Sequence, residues 1–263
     1  MYFKNKIIWI TGASSGTGEA LTYAFDKQEA KIIISARREN ELERVKNNCK
    51  NKDNIFTLPL DLEKHHELKS KADIVLQKFG KIDILFNNGG ISQRSFVVET
   101  DFSVDKKLIN INYLGAVVLT KAVLPNMLSN KSGHIVVMSS LTGKFGTPLR
   151  SAYSASKHAL HGFFDSLRAE VYNENVFVTI ICAGFIKTNI AKNALTKNGE
   201  AQKHDDPSTE EGMLPEAFAE KVLKAIKNKK QELTLGGKEK MGVYLKRFFP
   251  KLFSNIIKKQ NVR

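Results

Sequence analysis

The sequence predicts an α/β fold: a doubly wound parallel sheet of about seven strands, with helices on both faces. Short, nearly continuous apolar runs rich in Ile and Val recur along the chain, as they do in parallel strands that are buried on both faces. Amphipathic segments of helix length separate these runs, and this alternation is typical of βαβ units. A chain of 263 residues has an ordinary length for one such domain, so we expect a single domain over residues 1–263.

The predicted elements follow in regular order. The strands are KIIWIT (6–11), KIIISA (31–36), IFTLPL (55–60), IDILFN (82–87), HIVVMS (134–139), VFVTIIC (176–182) and the short run ELTL (232–235). The segments between them carry apolar residues at helical spacing. They predict helices over residues 17–28, 39–50, 64–79, 103–129, 152–174 and 215–229.

One long polar segment, residues 192–213, interrupts this order between the sixth strand and the last of these helices. A segment of that length without an apolar pattern is typically a lid, a binding loop or a mobile connection. In open parallel sheets, ligands bind beyond the carboxyl ends of the strands, and this segment leaves such an end. We therefore predict a substrate lid over about residues 190–214.

The formal charge of +14 raises the question of an anionic partner. Residues 221–263 hold 13 Lys or Arg and two acids, so residues 1–220 carry only +3. The excess therefore belongs to the C-terminal part of the chain. No nucleic-acid-reading motif accompanies it, which argues against a nucleic-acid partner.

Residues 238–263 form a basic amphipathic segment. Its apolar side chains recur at helical spacing with lysines and an arginine between them, and Pro250 predicts a kink or two short helices. Two interpretations stay open. The apolar stripe packs on its own domain or on a second subunit, or it lies peripherally on an anionic membrane surface.

The remaining bulk features favour a cytoplasmic location, with membrane contact limited to the periphery. Cys49 and Cys182 are the only cysteines, too few for a disulfide framework, and they suit a reducing compartment. The N-terminal stretch is apolar too briefly for a signal peptide. We see no apolar run that approaches the roughly 20 residues of a membrane span.

A glycine-rich turn, TGASSGTG, follows the first predicted strand. Gly12, Gly16 and Gly18 permit a tight turn and a close backbone approach to a pyrophosphate, whose charge is stabilised at the following helix N-terminus. The position of this turn at the start of a βαβ series predicts nucleotide binding.

The end of the second strand indicates which nucleotide binds. The acidic residue that accepts from the ribose hydroxyls of NAD is missing, and the sequence there is SARREN. Arg37 and Arg38 offer planar positive charge to a ribose 2′-phosphate, and Ser14 offers a further donor. These residues favour NADP(H) over NAD(H).

Tyr153 and Lys157 share one face of a predicted helix, about one turn apart. Taken alone, the pair reads as a half-exposed aromatic beside a solvated ammonium. The alternative is a phenol that exchanges protons near neutral pH because a cation stabilises its anion. The surrounding motifs decide between these interpretations.

Five motifs occur in one order: TGASSGTG at 11, NNGG at 87, Asn112 in INYLG, SSLTG at 139 and YSASK at 153. Together they resemble the short-chain dehydrogenases/reductases, from residue 4 to about residue 190. The strings NNGGISQRS, VVMSSLTGK and YSASKHALHGFF are most similar to the branch of hydroxysteroid dehydrogenases and dehydrogenase/reductase member 7 proteins. The resemblance implies a Rossmann-type sheet.

The resemblance also implies roles for four catalytic residues. Ser140, rather than Ser139, would hydrogen-bond the substrate oxygen, and Tyr153 would be the proton donor for reduction and the acceptor for oxidation. Lys157 would hold the nicotinamide ribose and lower the tyrosine pKa. Asn112 would anchor a water that links Lys157 to solvent.

Further positions match the family's cofactor contacts, with Asp61 at the adenine and the Ile186 backbone and Thr188 at the carboxamide. The full predicted set is Gly12, Ser14, Ser15, Gly16, Thr17, Gly18, Arg37, Arg38, Asp61, Leu62, Asn88, Gly89, Gly90, Tyr153, Lys157, Gly184, Ile186 and Thr188. Three residues depart from the family pattern: Ala183 replaces a proline, Gly89 an alanine and Thr17 a branched apolar residue.

The family resemblance implies an NADP(H)-dependent oxidoreductase that interconverts an alcohol and a carbonyl on an apolar substrate, such as a steroid, a retinoid-like or a long-chain compound. Two alternatives stay open: a 3-oxoacyl-chain ketoreductase of the same family, and a non-catalytic NADP(H)-binding sensor or scaffold. The family commonly forms dimers or tetramers through helices near 103–129 and 152–174. The histidines lack suitably spaced partners, so no metal site is expected.

Overall fold

The computed structural model describes residues 1–259, so the last four residues of the predicted basic segment 238–263 lie outside the described residues. Its seven parallel strands stand in the order β3-β2-β1-β4-β5-β6-β7. They are β1 (Ile7–Thr11), β2 (Lys31–Ser35), β3 (Ile55–Thr57), β4 (Ile84–Asn87), β5 (Gly133–Ser140), β6 (Val176–Ala183) and β7 (Glu232–Leu235). The predicted Rossmann-type sheet is confirmed.

Helices cover both faces of this sheet. They are α1 (Gly16–Asp26), α2 (Glu39–Asn47), α3 (His65–Phe79), α4 (Phe102–Ile109), α5 (Gly115–Ser129), α6 (Ser151–Glu170), α7 (Pro207–Glu210), α8 (Pro215–Lys227), α9 (Met241–Phe248) and α10 (Pro250–Ile257). A π-helical turn, Asn110–Leu114, joins α4 to α5, so the predicted helix 103–129 is continuous but not uniformly α-helical.

Two apolar layers sandwich the sheet because successive side chains of a strand point to opposite faces. In β1, Trp9 packs into the layer under α3, α5 and α6, which contains Leu119 and Phe164. Its neighbour Ile8 packs into the layer under α1, α2 and α8, which contains Phe218. This two-sided burial explains why the strands read as continuous apolar runs.

The predicted boundaries differ from the structure where the chain cannot continue its pairing. β3 ends at Thr57, three residues before the predicted end. It is an edge strand, and Pro59 supplies no amide hydrogen to a ladder. The remaining strands begin and end within two residues of their predicted positions.

One helix in residues 1–259, Phe102–Ser129, is long and apolar enough to cross a bilayer by length and composition, which corrects the expectation that no run approached that length. About half of its most apolar window, 44%, is buried inside the protein. Val104, Leu119, Val123 and Met127 contribute to the apolar cores. A core helix meets the same criteria, so this feature is weak evidence for a membrane span.

The C-terminal segment forms the two short helices that Pro250 predicted, α9 and α10. Phe253 is buried against Phe145, with ring centroids 5.0 Å apart, so α10 packs on the domain. Six other large apolar side chains of this segment stay exposed: Met241, Tyr244, Phe248, Phe249, Leu252 and Ile256. The segment therefore packs on its own domain through one side and leaves an apolar side uncovered.

Candidate active site

The glycine turn after β1 forms a cradle in which backbone conformation requires glycine. Gly12 has φ +66° and Gly16 has φ +59°, values that side chains with a Cβ disfavour. A Cβ on Gly12 would lie 2.7 Å from the Cα of Gly89, so the turns after β1 and β4 are in direct contact. The Thr11 hydroxyl accepts from the amides of Asn88 and Gly89, at 3.1 and 3.0 Å, and holds the two turns together.

Thr17, one of the departures from the family pattern, has a structural partner. Its hydroxyl donates to the Asn88 Oδ1 at 2.8 Å, and Asn88 Nδ2 donates to the Thr11 carbonyl at 3.0 Å. The hydroxyl thus positions Asn88 in the cradle. Gly18 lies in the first turn of α1 and packs against Gly12 and Asn88 rather than lining the cavity.

A cavity of about 580 Å³ opens from this cradle along the carboxyl ends of the strands. It gathers most of the predicted cofactor contacts: Gly12, Ser14, Ser15, Gly16, Thr17, Arg37, Arg38, Asp61, Leu62, Asn88, Gly89, Gly90, Gly184, Ile186 and Thr188. The predicted cofactor contact Gly18 and the predicted catalytic residue Asn112 do not line it. The glycine cradle and the surrounding polar groups fit a dinucleotide with its pyrophosphate at the N-terminus of α1.

Exposed Arg37 and Arg38 stand where the cavity meets solvent, beside Ser14. A third arginine, which sequence analysis missed, lies nearby: Arg44 donates to the Ser14 carbonyl at 3.2 Å and pairs with Glu19. Glu19 neutralises Arg44, whereas Arg37 and Arg38 have no ion pair among the described residues. These two therefore keep their charge free for an anion.

Ser140, Tyr153 and Lys157 converge where β5 and α6 meet the cavity. Lys157 is buried, its Nζ donates to the Met138 carbonyl at 2.7 Å, and the same atom lies 5.7 Å from the Tyr153 ring centroid. Ser139 points away, with its hydroxyl donating to the Lys157 carbonyl. Ser140 lines both cavities of the site, and Ser139 lines one of them.

Asn112 lies behind this group, inside the π-helical turn. Its Oδ1 accepts from the Ile91 amide at 2.8 Å, and its Nδ2 donates to the Ile91 carbonyl and to the Ser156 hydroxyl. A turn of π-helix inside an α-helix is frequently found at functional sites. Here the asparagine side chain ties the segment after β4 to α6, next to Lys157.

Burial and nearby charges set the protonation of these groups. Burial raises the pKa of Tyr153, and a hydrogen bond with Ser140 and the charges of Arg150 and Arg94 oppose that rise. Burial lowers the pKa of Lys157 to about 8. The opposing positive charges are thus those of Arg150 and Arg94, and not the Lys157 that the sequence predicted, while the pKa of Tyr153 stays above its usual value.

A second cavity of about 1000 Å³ adjoins the first. Ser140 and Tyr153 line both, so they stand at the junction. Apolar side chains line much of the second cavity, and its walls include Leu141, Phe145, Met241, Leu245, Phe253 and Ile256.

The predicted lid segment borders this second cavity through α7 and the residues after it. Asp206, just before α7, forms ion pairs with Arg94 at 2.6 Å and with Arg150 at 3.3 Å, all nearly buried. Leu195 bridges Gln93 and Ala201, so this long polar segment has an ordered backbone. The ion pairs join positions up to 112 residues apart, which no local sequence pattern reveals.

His161, Cys182 and Glu232 come within 4.8 Å of one another, close enough to hold a metal ion, although the spacing of the histidines in the sequence did not indicate it. Burial lowers the pKa of His161 to about 4 and raises that of the Cys182 thiol to about 12. Lys144 already pairs with Glu232. Metal ligation needs a free carboxylate, so the ion pair of Glu232 with Lys144 opposes it.

The sequence profile described as short chain dehydrogenase matches residues 6–199. The chain belongs to the short-chain dehydrogenase family. It is similar to the "Dehydrogenase/reductase SDR family protein 7-like" of Drosophila melanogaster, at 42% identity over 98% of this chain and 81% of that relative. This short-chain dehydrogenase is thus an oxidoreductase and resembles the branch that the sequence motifs indicated.

Solved structures agree with the fold of this short-chain dehydrogenase. Serine dehydrogenase in a closed form complexed with NADP+ is 25% identical, with a TM-score of 0.79, over 88% of this chain and 94% of that one. A short chain dehydrogenase/reductase from Burkholderia phymatum in complex with NAD is 22% identical, with a TM-score of 0.85, over 100% and 98%. The second shows the fold alone.

Proposed function

We propose that this short-chain dehydrogenase interconverts an alcohol and a carbonyl on an apolar substrate, with NADP(H) as the cofactor. One observation carries the proposal: Ser140 and Tyr153 stand at the junction between a cavity that fits a dinucleotide and a larger cavity with apolar walls. A proton donor at such a junction meets both reactants.

The residues that would hold the cofactor are the Gly12 cradle, Arg37 and Arg38 at one end, and Lys157 and Thr188 at the other. A bound nicotinamide dinucleotide supplies or accepts the hydride. Ser140 donates a hydrogen bond to the substrate oxygen and orients it toward Tyr153. Tyr153 then gives that oxygen its phenolic proton in reduction and takes it back in oxidation.

Lys157 stabilises the phenolate that Tyr153 becomes after proton transfer. Its pKa of about 8 leaves the ammonium form predominant at pH 7. Arg150 and Arg94 act in the same direction because they lower the pKa of the phenol.

The test is the loss of NADPH absorbance with purified protein and a panel of apolar ketones, aldehydes and 3-oxoacyl thioesters. We expect turnover of apolar carbonyls. Turnover of the thioesters alone would favour the ketoreductase alternative. Tight NADPH binding without turnover of any compound would favour the sensor or scaffold and contradict the proposal.

We also propose a cytoplasmic protein that contacts an anionic membrane surface through α9 and α10. Four exposed apolar side chains of this segment do not line the cavity: Tyr244, Phe248, Phe249 and Leu252, with Phe248 69% and Phe249 62% exposed. Their basic neighbours are Lys238, Lys240, Lys246, Arg247, Lys251 and Lys258. Exposed aromatic residues flanked by cations match an anionic lipid surface.

Vesicle sedimentation of the full chain tests this contact. Replacing Phe248 and Phe249 by Ser should lower the fraction bound to phosphatidylserine-containing vesicles about tenfold or more, because two buried rings are lost from the lipid. Tyr172→Ser removes an aromatic that is 77% exposed on another surface and is the control. The contact would be refuted if the wild-type chain did not bind these vesicles, or if Tyr172→Ser lowered the bound fraction equally.

A homo-oligomer is also proposed, packed through α4, α5 and α6 as the family resemblance implies. Tyr113, in the π-helical turn between α4 and α5, and Phe163, on α6, are half-buried with ring centroids 6.3 Å apart, and they offer an apolar surface to a second copy.

A further inference from the structure

The wall of the larger cavity is cationic beside Tyr153. Arg94 and Arg150 are both 6% exposed at their side chains and face a single carboxylate, Asp206. Two guanidinium groups and one carboxylate leave one net positive charge in a nearly buried cluster. An uncompensated buried charge is costly, and a ligand anion relieves that cost.

Arg94 has partners for four of its five N–H groups. Its Nε and Nη2 donate to Asp206 at 2.9 and 2.6 Å, and its Nη1 donates to the Ser92 hydroxyl and the Gln93 carbonyl at 2.8 and 2.6 Å. Among the described residues only one N–H of Arg94, on Nη2, lacks a partner.

Arg150 has fewer hydrogen-bond partners than Arg94. Within residues 1–259 its guanidinium makes one hydrogen bond, to Asp206 at 3.3 Å, and its buried Nε has no partner. The Thr147 hydroxyl, on the same cavity wall, is also buried without a partner. Buried polar groups in folded proteins are nearly always hydrogen-bonded, so two orphans on one wall point to a ligand that satisfies them.

The negative groups on this wall leave Arg150 available. Asp206 is shared with Arg94, and its second oxygen accepts from Gln202 at 3.1 Å. Glu239 accepts from the Gly237 amide at 2.9 Å. Glu211 is exposed and forms no ion pair among the described residues. Burial and Arg94 lower the pKa of Arg150 to about 10, so it remains charged at pH 7.

We propose that Arg150 and Thr147 form a carboxylate subsite, and that the substrate is an apolar oxo acid, or the corresponding hydroxy acid, rather than a neutral carbonyl compound. This inference rests on the proposed alcohol and carbonyl chemistry. A single net positive charge matches a carboxylate, whereas a phosphate dianion would exceed it. Planar guanidinium groups are also suited to carboxylates.

The position of Arg150 places the carboxylate near the reacting carbon. Arg150 precedes Tyr153 by three residues at the start of α6, a rise of about 4.5 Å along a helix, and both side chains line the cavity. The carbonyl and carboxylate therefore occupy the same end of the substrate, separated by few bonds. The apolar remainder lies toward Phe145, Leu245 and Phe253.

Steady-state kinetics with NADPH and a matched pair, 4-oxodecanoic acid and its methyl ester, tests the subsite. The wild type should have a KM for the acid at least about tenfold below that for the ester, because one charge-assisted hydrogen bond contributes that much. Arg150→Gln should raise the ratio of the KM for the acid to the KM for the ester about tenfold or more. Arg150→Lys should restore part of the preference.

Arg150 also affects the Tyr153 pKa, so a fall in kcat on both compounds is not diagnostic, and the acid-to-ester ratio of KM is the readout. Equal KM values in the wild type, or an equal KM change on both compounds in Arg150→Gln, would overturn the subsite.

Calorimetric binding of decanoate to the NADPH-loaded protein separates this inference from the proposed function. Decanoate has no reacting carbonyl, so it should bind the wild type and bind Arg150→Gln at least about tenfold more weakly. Binding without turnover of either oxo compound would reject the proposed reaction and support the subsite. No binding to the wild type would reject the subsite.

Thr147→Val is the second variant, which leaves the ion pairs intact if Arg150→Gln fails to fold. It should weaken decanoate binding several-fold, as expected for the loss of one neutral hydrogen bond. Unchanged decanoate binding by Thr147→Val would remove Thr147 from the subsite.

Discussion

Tyr153→Phe should lower kcat for carbonyl reduction by about 10²- to 10⁴-fold, the usual contribution of a positioned general acid. The variant removes one oxygen atom and keeps the aromatic ring that lines both cavities. Cofactor binding should change little because the glycine cradle and the arginines are untouched. Stopped-flow single turnover with NADPH and an apolar ketone measures the loss.

The matched control is Tyr172→Phe. The Tyr172 side chain is 77% exposed and lines neither cavity. It should retain the wild-type rate. Titration of NADPH fluorescence gives the cofactor affinity of each variant. A Tyr153→Phe protein with the wild-type rate would exclude the proposed mechanism, whatever its cofactor affinity.

Replacing both Arg37 and Arg38 by Ala should raise the Kd for NADPH by about ten- to a hundredfold and leave that for NADH nearly unchanged. Charge-assisted hydrogen bonds to a phosphate contribute roughly 1.5–3 kcal/mol, and the exposure of both side chains reduces that contribution through solvent screening. Only NADPH carries the 2′-phosphate, so the loss should be selective. Fluorescence titration with each nucleotide measures it.

Lys224→Ala with Lys227→Ala provides a charge-matched control, because it removes two exposed cations from α8. Its NADPH affinity should match the wild type, and the difference between the two double variants should shrink as salt rises. An equal loss of NADH and NADPH affinity in the arginine variant would contradict the phosphate assignment.

The order of strands and helices was readable from the sequence because buried parallel strands are apolar on both faces. The run KIIWIT becomes β1, with Trp9 packed in one layer and Ile8 in the other. The glycine turn could also be predicted from the sequence, because its geometry depends on the residue type. The positive φ of Gly12 and its contact with Gly89 exclude any Cβ. Only glycine fits this position, so the constraint is visible in the sequence itself.

The surroundings of Tyr153 were only partly predictable. Tyr153 and Lys157 share a helix, and their spacing is a local property of α6. Arg94, Arg150 and Asp206 belong to three separate segments and meet only when the chain folds. Asp206 lies in a segment whose polarity predicted a lid and gave no indication of a buried ion pair.

For this short-chain dehydrogenase, the sequence by itself determined the α/β order, the nucleotide-binding turn and the tyrosine–lysine pair, because each depends on periodicity or on residues within one turn. The tertiary structure alone decided that two arginines meet one carboxylate beside Tyr153 and that Phe253 is buried while Phe248 is exposed. Such pairings depend on which segments the fold brings together in space. Burial then strengthens the electrostatic effect of the resulting charge imbalance, because water screens it less.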